Sequence, residues 1–197
     1  MTKSQADVVR TALDILDEHG AAAVSLRAIA QRLGVRMNTV LWHAKSKGRL
    51  EELMADAIVA GVSLDDLPRD WHDRATEIAH RYRRALLSHR DGAAVVAGTY
   101  AAEPATLDVA EALVAALLDG GLSDREAAWT AWSLVYFILG LTQEEQALPA
   151  RSLHGLPVGR RPALQRVLPT LVEESFDARF EFGVGKLLAH RQEGRPR

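Results

Sequence analysis

Cysteine is absent from the chain, which excludes disulfides and thiolate metal centres and fits a reducing compartment. Long hydrophobic runs are absent as well. The most apolar stretch, Ala127 to Leu141, falls short of the ~20 residues that span a bilayer and contains Thr130 and Ser133, so it reads as a buried helix. The first residues, MTKSQADVVR, lack the apolar centre of a signal peptide. These absences predict a soluble, cytoplasmic protein with no membrane partner. Charge of one sign is not in excess overall, with 24 Lys+Arg against 26 Asp+Glu and a net charge of −2. No stretch alternates convincingly with period two, so the fold is predicted to be all-α.

Catalytic signatures are missing too. Seven histidines are present (His19, His43, His72, His80, His89, His154 and His190), none in an H-E-x-x-H or similar ligand spacing. There is no G-x-S-x-G elbow, no phosphate-cradling G-x-x-x-x-G-K and no dinucleotide fingerprint. Glu144 and Glu145 are adjacent, and helix neighbours point ~100° apart, so they do not share a site. His89-Arg90-Asp91 reads as a helix-ending turn. Neither an enzyme nor a cofactor is expected.

What is present is a local concentration of positive charge. Residues 25–49, SLRAIAQRLGVRMNTVLWHAKSKGR, carry six cationic side chains and no carboxylate, the footprint of something that meets a polyanion. Periodicity and caps place helices around it. Ser4 and Asp7 open a first helix that ends at Gly20. Ser25 caps a second, Leu26 to Leu33, closed by Gly34 in the left-handed turn region. A third runs from Met37 to about His43, and Ser46 caps a fourth that lasts to about Gly61. Ala30 and Gly34 suit the close helix crossing of a helix-turn-helix, with Val35 and Val40 turned to the core. Arg36, Met37, Asn38, Thr39, Leu41 and His43 are left on the open face, where a recognition helix meets base edges. Asn38 suits adenine, Arg36 guanine, and Met37 or Leu41 a thymine methyl. Lys45, Lys47 and the amides opening the fourth helix suit phosphate, and Arg27 suits phosphate or base. Specific sites are read as two half-sites ~34 Å apart, so such an element predicts a symmetric dimer on double-stranded DNA.

Residues 1–61 are therefore expected to form a DNA-binding domain, and 62–197 a larger helical one after a linker at Val62 to Arg69. Further helices are predicted from Asp70 to Ser88, to Gly98, from Pro104 to Gly120, from Asp124 to Gln146, from Pro162 to Glu174 and from Asp177 to Gln192. An irregular loop between Pro149 and Pro162 and a basic tail, Arg191 to Arg197, complete the chain. The Asp124 helix is apolar nearly all round, as a helix buried on more than one side must be. The last helix offers Phe176, Phe180, Val184, Leu187 and Leu188, with Gly183 and Gly185 permitting close approach. These two helices are assigned to a dimer bundle.

LRAIAQRLGVRMNTVLWHAKSKGRLEELM resembles the DNA-binding domain of the tetracycline repressor family. ALLSHRDGA, Gly98-Thr99 and Phe180-Glu181-Phe182-Gly183 extend the likeness over essentially the whole chain. The resemblance implies a homodimer with a four-helix-bundle interface, an effector pocket in each C-terminal core, and release of operator DNA when an effector moves the two reading heads. It assigns DNA contacts to Ser25, Arg27, Arg36, Met37, Asn38, Thr39, Leu41, His43 and Lys47. Met37, Asn38 and Leu41 depart from the family's usual glutamine, proline and tyrosine, which implies a different operator.

The resemblance places Ser63, Ile78, Tyr82, Val96, Thr99 and Leu113 in the effector pocket, and the residues themselves add Tyr100, Trp129, Trp132 and Phe137 as aromatic candidates. Val96 stands where the family has a magnesium-binding histidine, and Glu144 matches an acidic neighbour of that metal. One carboxylate is a poor magnesium site, so a mostly apolar organic effector without metal is expected. Two alternatives stand beside this reading: a magnesium–tetracycline-responsive repressor, and a helical protein-interaction module whose basic face is incidental.

Overall fold

A computed structural model describes residues 3–99, 102–147, 159–171 and 175–189, and among them every regular element is a helix. The first helix, α1 (Gln5–His19), starts in a capping box. The Asp7 N–H donates to Ser4 Oγ at 3.1 Å, and the Ser4 N–H donates to the Asp7 carboxylate at 2.9 Å. Its buried stripe is Val8, Ala12, Ile15 and Leu16. After a 3₁₀ turn (Ala21–Ala23) come α2 (Leu26–Leu33), α3 (Met37–Ala44) and α4 (Lys47–Val59). Ser25 and Ser46 cap α2 and α4 by accepting from the Ala28 and Arg49 N–H groups. Ile29, Ala30, Val40, Ala44 and Leu50 close a small core beneath them.

The remainder is α5 (Trp71–Leu87), α6 (Gly92–Ala97), α7 (Pro104–Asp119), α8 (Asp124–Ala147), α9 (Pro162–Leu171) and α10 (Phe176–Leu188). Each begins and ends within a few residues of its predicted position. The loop foreseen at 149–161 falls largely outside the described residues, as do the tail and the end of the predicted Pro162 helix. The α8 helix packs on α5, α6, α7 and α10. Arg83 of α5, nearly buried, locks three of these together: it donates to Glu145 of α8 at 2.8 Å and to Asp177 of α10 at 2.6 Å, and lies 5.0 Å from the Phe180 ring. Removing Glu145 would leave this nearly buried guanidinium only the exposed Asp177 as counter-charge.

Two polar junctions join the first four helices to the rest. At the end of α1, Asp17 stands 2.9 Å from His89 Nδ1 and accepts the Arg90 N–H, while Asp91 accepts the Ala21 N–H at 2.8 Å. Asp91 itself sits in the left-handed region, φ 55°, which aspartate tolerates better than most residues. Gly92 follows because a Cβ there would stand 2.3 Å from the Leu86 carbonyl oxygen. The second junction runs between α4 and the start of α7. Arg49 pairs with Glu103, and Asp56 accepts from the Thr106 N–H at 2.8 Å and from its hydroxyl at 2.9 Å.

The last helix corrects one expectation. Phe180, Val184 and Leu188 pack inside the chain, with Phe180 stacked near Phe137. Gly183 does permit a close approach, since a Cβ would meet the Phe137 ring at 2.0 Å, but Gly185 borders open space within the chain. The apolar surface left uncovered is a different one: Trp129 (59% exposed), Trp132 (45%) and Tyr136 (61%) on α8, with Phe182 (68%) on α10. So α8 is buried on one side and aromatic on the other.

Candidate functional site

The helix-turn-helix geometry follows from one glycine. Gly34 adopts φ 65°, ψ 33°, and the chain reverses there with the Val35 N–H donating to the Ala30 carbonyl at 3.0 Å. This turn sets α3 across α2 with Val40 and Ala44 inward. Arg36, Met37 and Asn38 are exposed at the start of α3, and Thr39, Leu41 and His43 are part-exposed along it. Arg27, Lys45 and Lys47 are exposed on the flanking helix and turn, and Ser25 is occupied as a cap. All ten predicted contact residues therefore belong to one compact unit built around α3.

The structure sorts the six cations. Arg32 is engaged by Glu18 (2.7 Å), and Arg49 by Glu52 (2.9 Å) and Glu103. Glu103 is held below the usual carboxylate range by the Arg49 hydrogen bond, and the Arg49 guanidinium is correspondingly raised. Lys47 has only an exposed pairing with Glu51 at 3.5 Å, worth little in water. Arg27, Arg36 and Lys45 make no ion pair among the described residues. Trp42 was passed over in the sequence and is 72% exposed, with Lys45 Nζ 4.8 Å from its ring. An aromatic embedded in a basic stretch was the available signal.

Behind the helix-turn-helix lies a cavity of about 560 Å³ framed by α4, α5, α6, α7 and α8. Of the predicted pocket residues, the structure brings Tyr82, Val96, Thr99 and Trp132 to its wall. Leu107, Leu139, Tyr136, Thr106 and Gln143 join them, and no charged side chain among the described residues lines it. The other predicted residues lie elsewhere for plain packing reasons. Ile78 and Leu113 are buried in the core, Phe137 turns toward Phe180, and Ser63 is exposed beside Asp65. Trp129 stands outside with Arg125 4.0 Å from its ring, and Tyr100 lies outside the described residues.

Tyr82 is nearly buried, and burial pushes its phenol up to about 12. It therefore stays neutral at physiological pH. The unfolded phenol ionises near 10.0 and the folded one near 12, so its stabilising share is full below pH 10 and is lost as pH rises from 10 through 12. Ultraviolet titration should show one of the three tyrosines ionising last, near pH 12, and Tyr82→Phe should remove that step. Three tyrosines titrating together near 10 would contradict this placement.

A magnesium site does not fit this wall. Val96 offers no lone pair, and Glu144 faces Arg179 on α10 at 3.8 Å. Among the described residues no group of three His, Asp or Glu side chains is placed to hold a metal. No helix among them is long and apolar enough to cross a membrane.

A helix-turn-helix with uncommitted cations, coupled to a helical core that frames an open, mostly apolar cavity, defines a ligand-responsive DNA-binding transcriptional regulator. Residues 8–54 match the family described as bacterial regulatory proteins, tetR family, and residues 64–189 match the tetracyclin repressor-like C-terminal domain. The tetracycline repressor protein class C of Escherichia coli is 33% identical over 199 residues, spanning 95% of this chain and 90% of that protein. Among solved structures, a possible TetR family transcriptional regulator from Streptomyces coelicolor A3(2) shares 36% identity with a TM-score of 0.80, covering 94% of this chain and 97% of that one. The Streptomyces coelicolor TetR family protein ActR in complex with actinorhodin shares 26% identity with a TM-score of 0.86, covering 96% of each chain. The chain belongs to the tetracycline repressor family.

Proposed function

We propose that this repressor binds a palindromic operator as a homodimer and leaves it when a neutral, flat, mostly apolar molecule occupies the cavity. Residues 1–61 serve as the DNA-binding part and 62–197 as the effector-binding and dimerisation part. Arg27, Arg36, Met37, Asn38, Thr39, Leu41, Trp42, His43, Lys45 and Lys47 form the interface with the duplex. The exposed Trp129 and Tyr136 of α8 and Phe182 of α10 meet their symmetry mates in a second copy. Tyr82, Val96, Thr99 and Trp132 hold the effector.

The carrying observation is the cavity wall, mostly apolar and, among the described residues, without a charged side chain. An ionised ligand would shed part of its hydration there and find no opposite charge among the described lining residues, which is unfavourable. The neutral Tyr82 hydroxyl and the Gln143 amide remain to orient a carbonyl or hydroxyl group on the ligand. The complex of ActR, a structural relative, with actinorhodin supports a small-molecule effector here. The replaced magnesium ligand argues against the magnesium–tetracycline alternative. The test is release of a bound duplex by a panel of neutral polycyclic compounds and their carboxylated analogues. Neutral members should release DNA, and neither the charged members nor tetracycline with magnesium should. Release by the charged members alone, or by tetracycline with magnesium, would overturn the reading.

A further inference from the structure

The first turn of α7 is capped from another helix. Every helix start leaves unpaired N–H groups, and in the first turn of α7 two of them meet a carboxylate of α4. Pro104 has no N–H. The Leu107 N–H donates to the Glu103 carbonyl at 2.9 Å. The N–H groups of Ala105 and Thr106 point to the Asp56 carboxylate of α4, at 3.5 and 2.8 Å, and the Thr106 hydroxyl adds a third bond. Glu103, in the cap position, makes no side-chain cap because its carboxylate is turned to Arg49. Arg49 and Asp56 are seven residues apart, hence on one face of α4 two turns from each other. That face grips the start of α7 at two points.

The same turn of α7 is cavity wall. Ala102, Thr106, Leu107 and Ala110 line the cavity, as does Ala55, the neighbour of Asp56. Thr106 thus touches both the ligand space and the helix that leads to the helix-turn-helix. The junction at the end of α1 has no such double role, since His89, Arg90 and Asp91 do not line the cavity.

We propose that Asp56 is the positioning residue through which cavity occupancy reaches the DNA-binding helices. This rests on the effector-and-operator reading above. A ligand that displaces Thr106 pulls donors off Asp56, and the first turn of α7 then loses its cap. Helix α4 and that turn consequently move as a unit or separate as a unit, which is the two-state behaviour that coupling requires. Linkage makes the effect reciprocal: DNA that fixes α4 must also tighten the start of α7.

The test is amide hydrogen exchange on the full-length protein, with and without a duplex selected from a random pool. The expected result is slowing by about fivefold or more at Ala105, Thr106 and Leu107 when the duplex is bound. Asp56→Ala should abolish that DNA dependence. Asp56→Asn should retain it, because one amide oxygen can accept both Thr106 donors, and Asp17→Asn, at the other junction, should also retain it. Duplex binding by the wild type with unchanged exchange at these amides would overturn this inference alone, whatever the variants do. Persistence of the effect in Asp56→Ala would overturn it too. Failure of the wild type to bind any duplex would overturn both it and the reading it rests on.

Discussion

Duplex binding should weaken about ten-thousandfold between roughly 50 and 200 mM salt, with a slope of log affinity against log salt near −7. The magnitude follows from which cations are free. Arg27, Arg36, Lys45 and Lys47 are available to phosphate in each chain, while Arg32 and Arg49 are committed to carboxylates. A dimer therefore neutralises about eight phosphates, at about 0.9 per contact. Counting all six cations of the stretch would give a slope near −11 and a loss of about a millionfold or more over the same range. The two counts are far enough apart for fluorescence anisotropy across a salt series to separate them. Lys47→Ala should flatten the slope by about two, one contact per chain, and a slope unaffected by that change would remove Lys47 from the interface.

Tyr136→Glu combined with Phe182→Glu should convert the dimer to a monomer and raise its dissociation constant by a thousandfold or more. The exposed parts of Trp129, Tyr136 and Phe182 amount to on the order of 400 Å² per chain, taken from typical aromatic areas. A second copy doubles this to the scale of a specific interface once neighbouring residues are included. Two carboxylates per chain placed in that patch would face each other across the symmetry axis, desolvated and unpaired. Because the replaced rings are exposed in the single chain, its helical content should stay unchanged by circular dichroism. Sedimentation would report the mass. A variant that remained dimeric would mean the copies meet elsewhere, and a monomer with undiminished operator affinity would mean that one half-site is enough.

The helices were legible in the sequence because their ends are written in local chemistry. Ser4, Ser25 and Ser46 cap by hydrogen bonds that span three residues, and Gly34 reverses the chain through its own left-handed backbone. The face of α3 was legible for the same reason, since eight residues of helix fix which side chains share a side. The cavity was less so. Whether Ile78 lines it or packs beneath it depends on how five helices are rotated against each other, and periodicity shows only that Ile78 points inward. Phe180 and Phe182 illustrate the limit: both are apolar on one helix, yet one is buried under Arg83 and the other faces out. The Arg32–Glu18 and Arg49–Glu103 pairs join residues 14 and 54 positions apart, and local patterns carry no trace of them; only the Arg49–Glu52 pair is local.

The central claim is that two copies of this chain grip one duplex through paired helix-turn-helix units. Its most direct test is the mass of the complex formed between the purified protein and a palindromic duplex selected from a random pool, measured by sedimentation at low salt. Two chains per duplex is the predicted result. One chain per duplex, or no complex with any duplex at low salt, would contradict it.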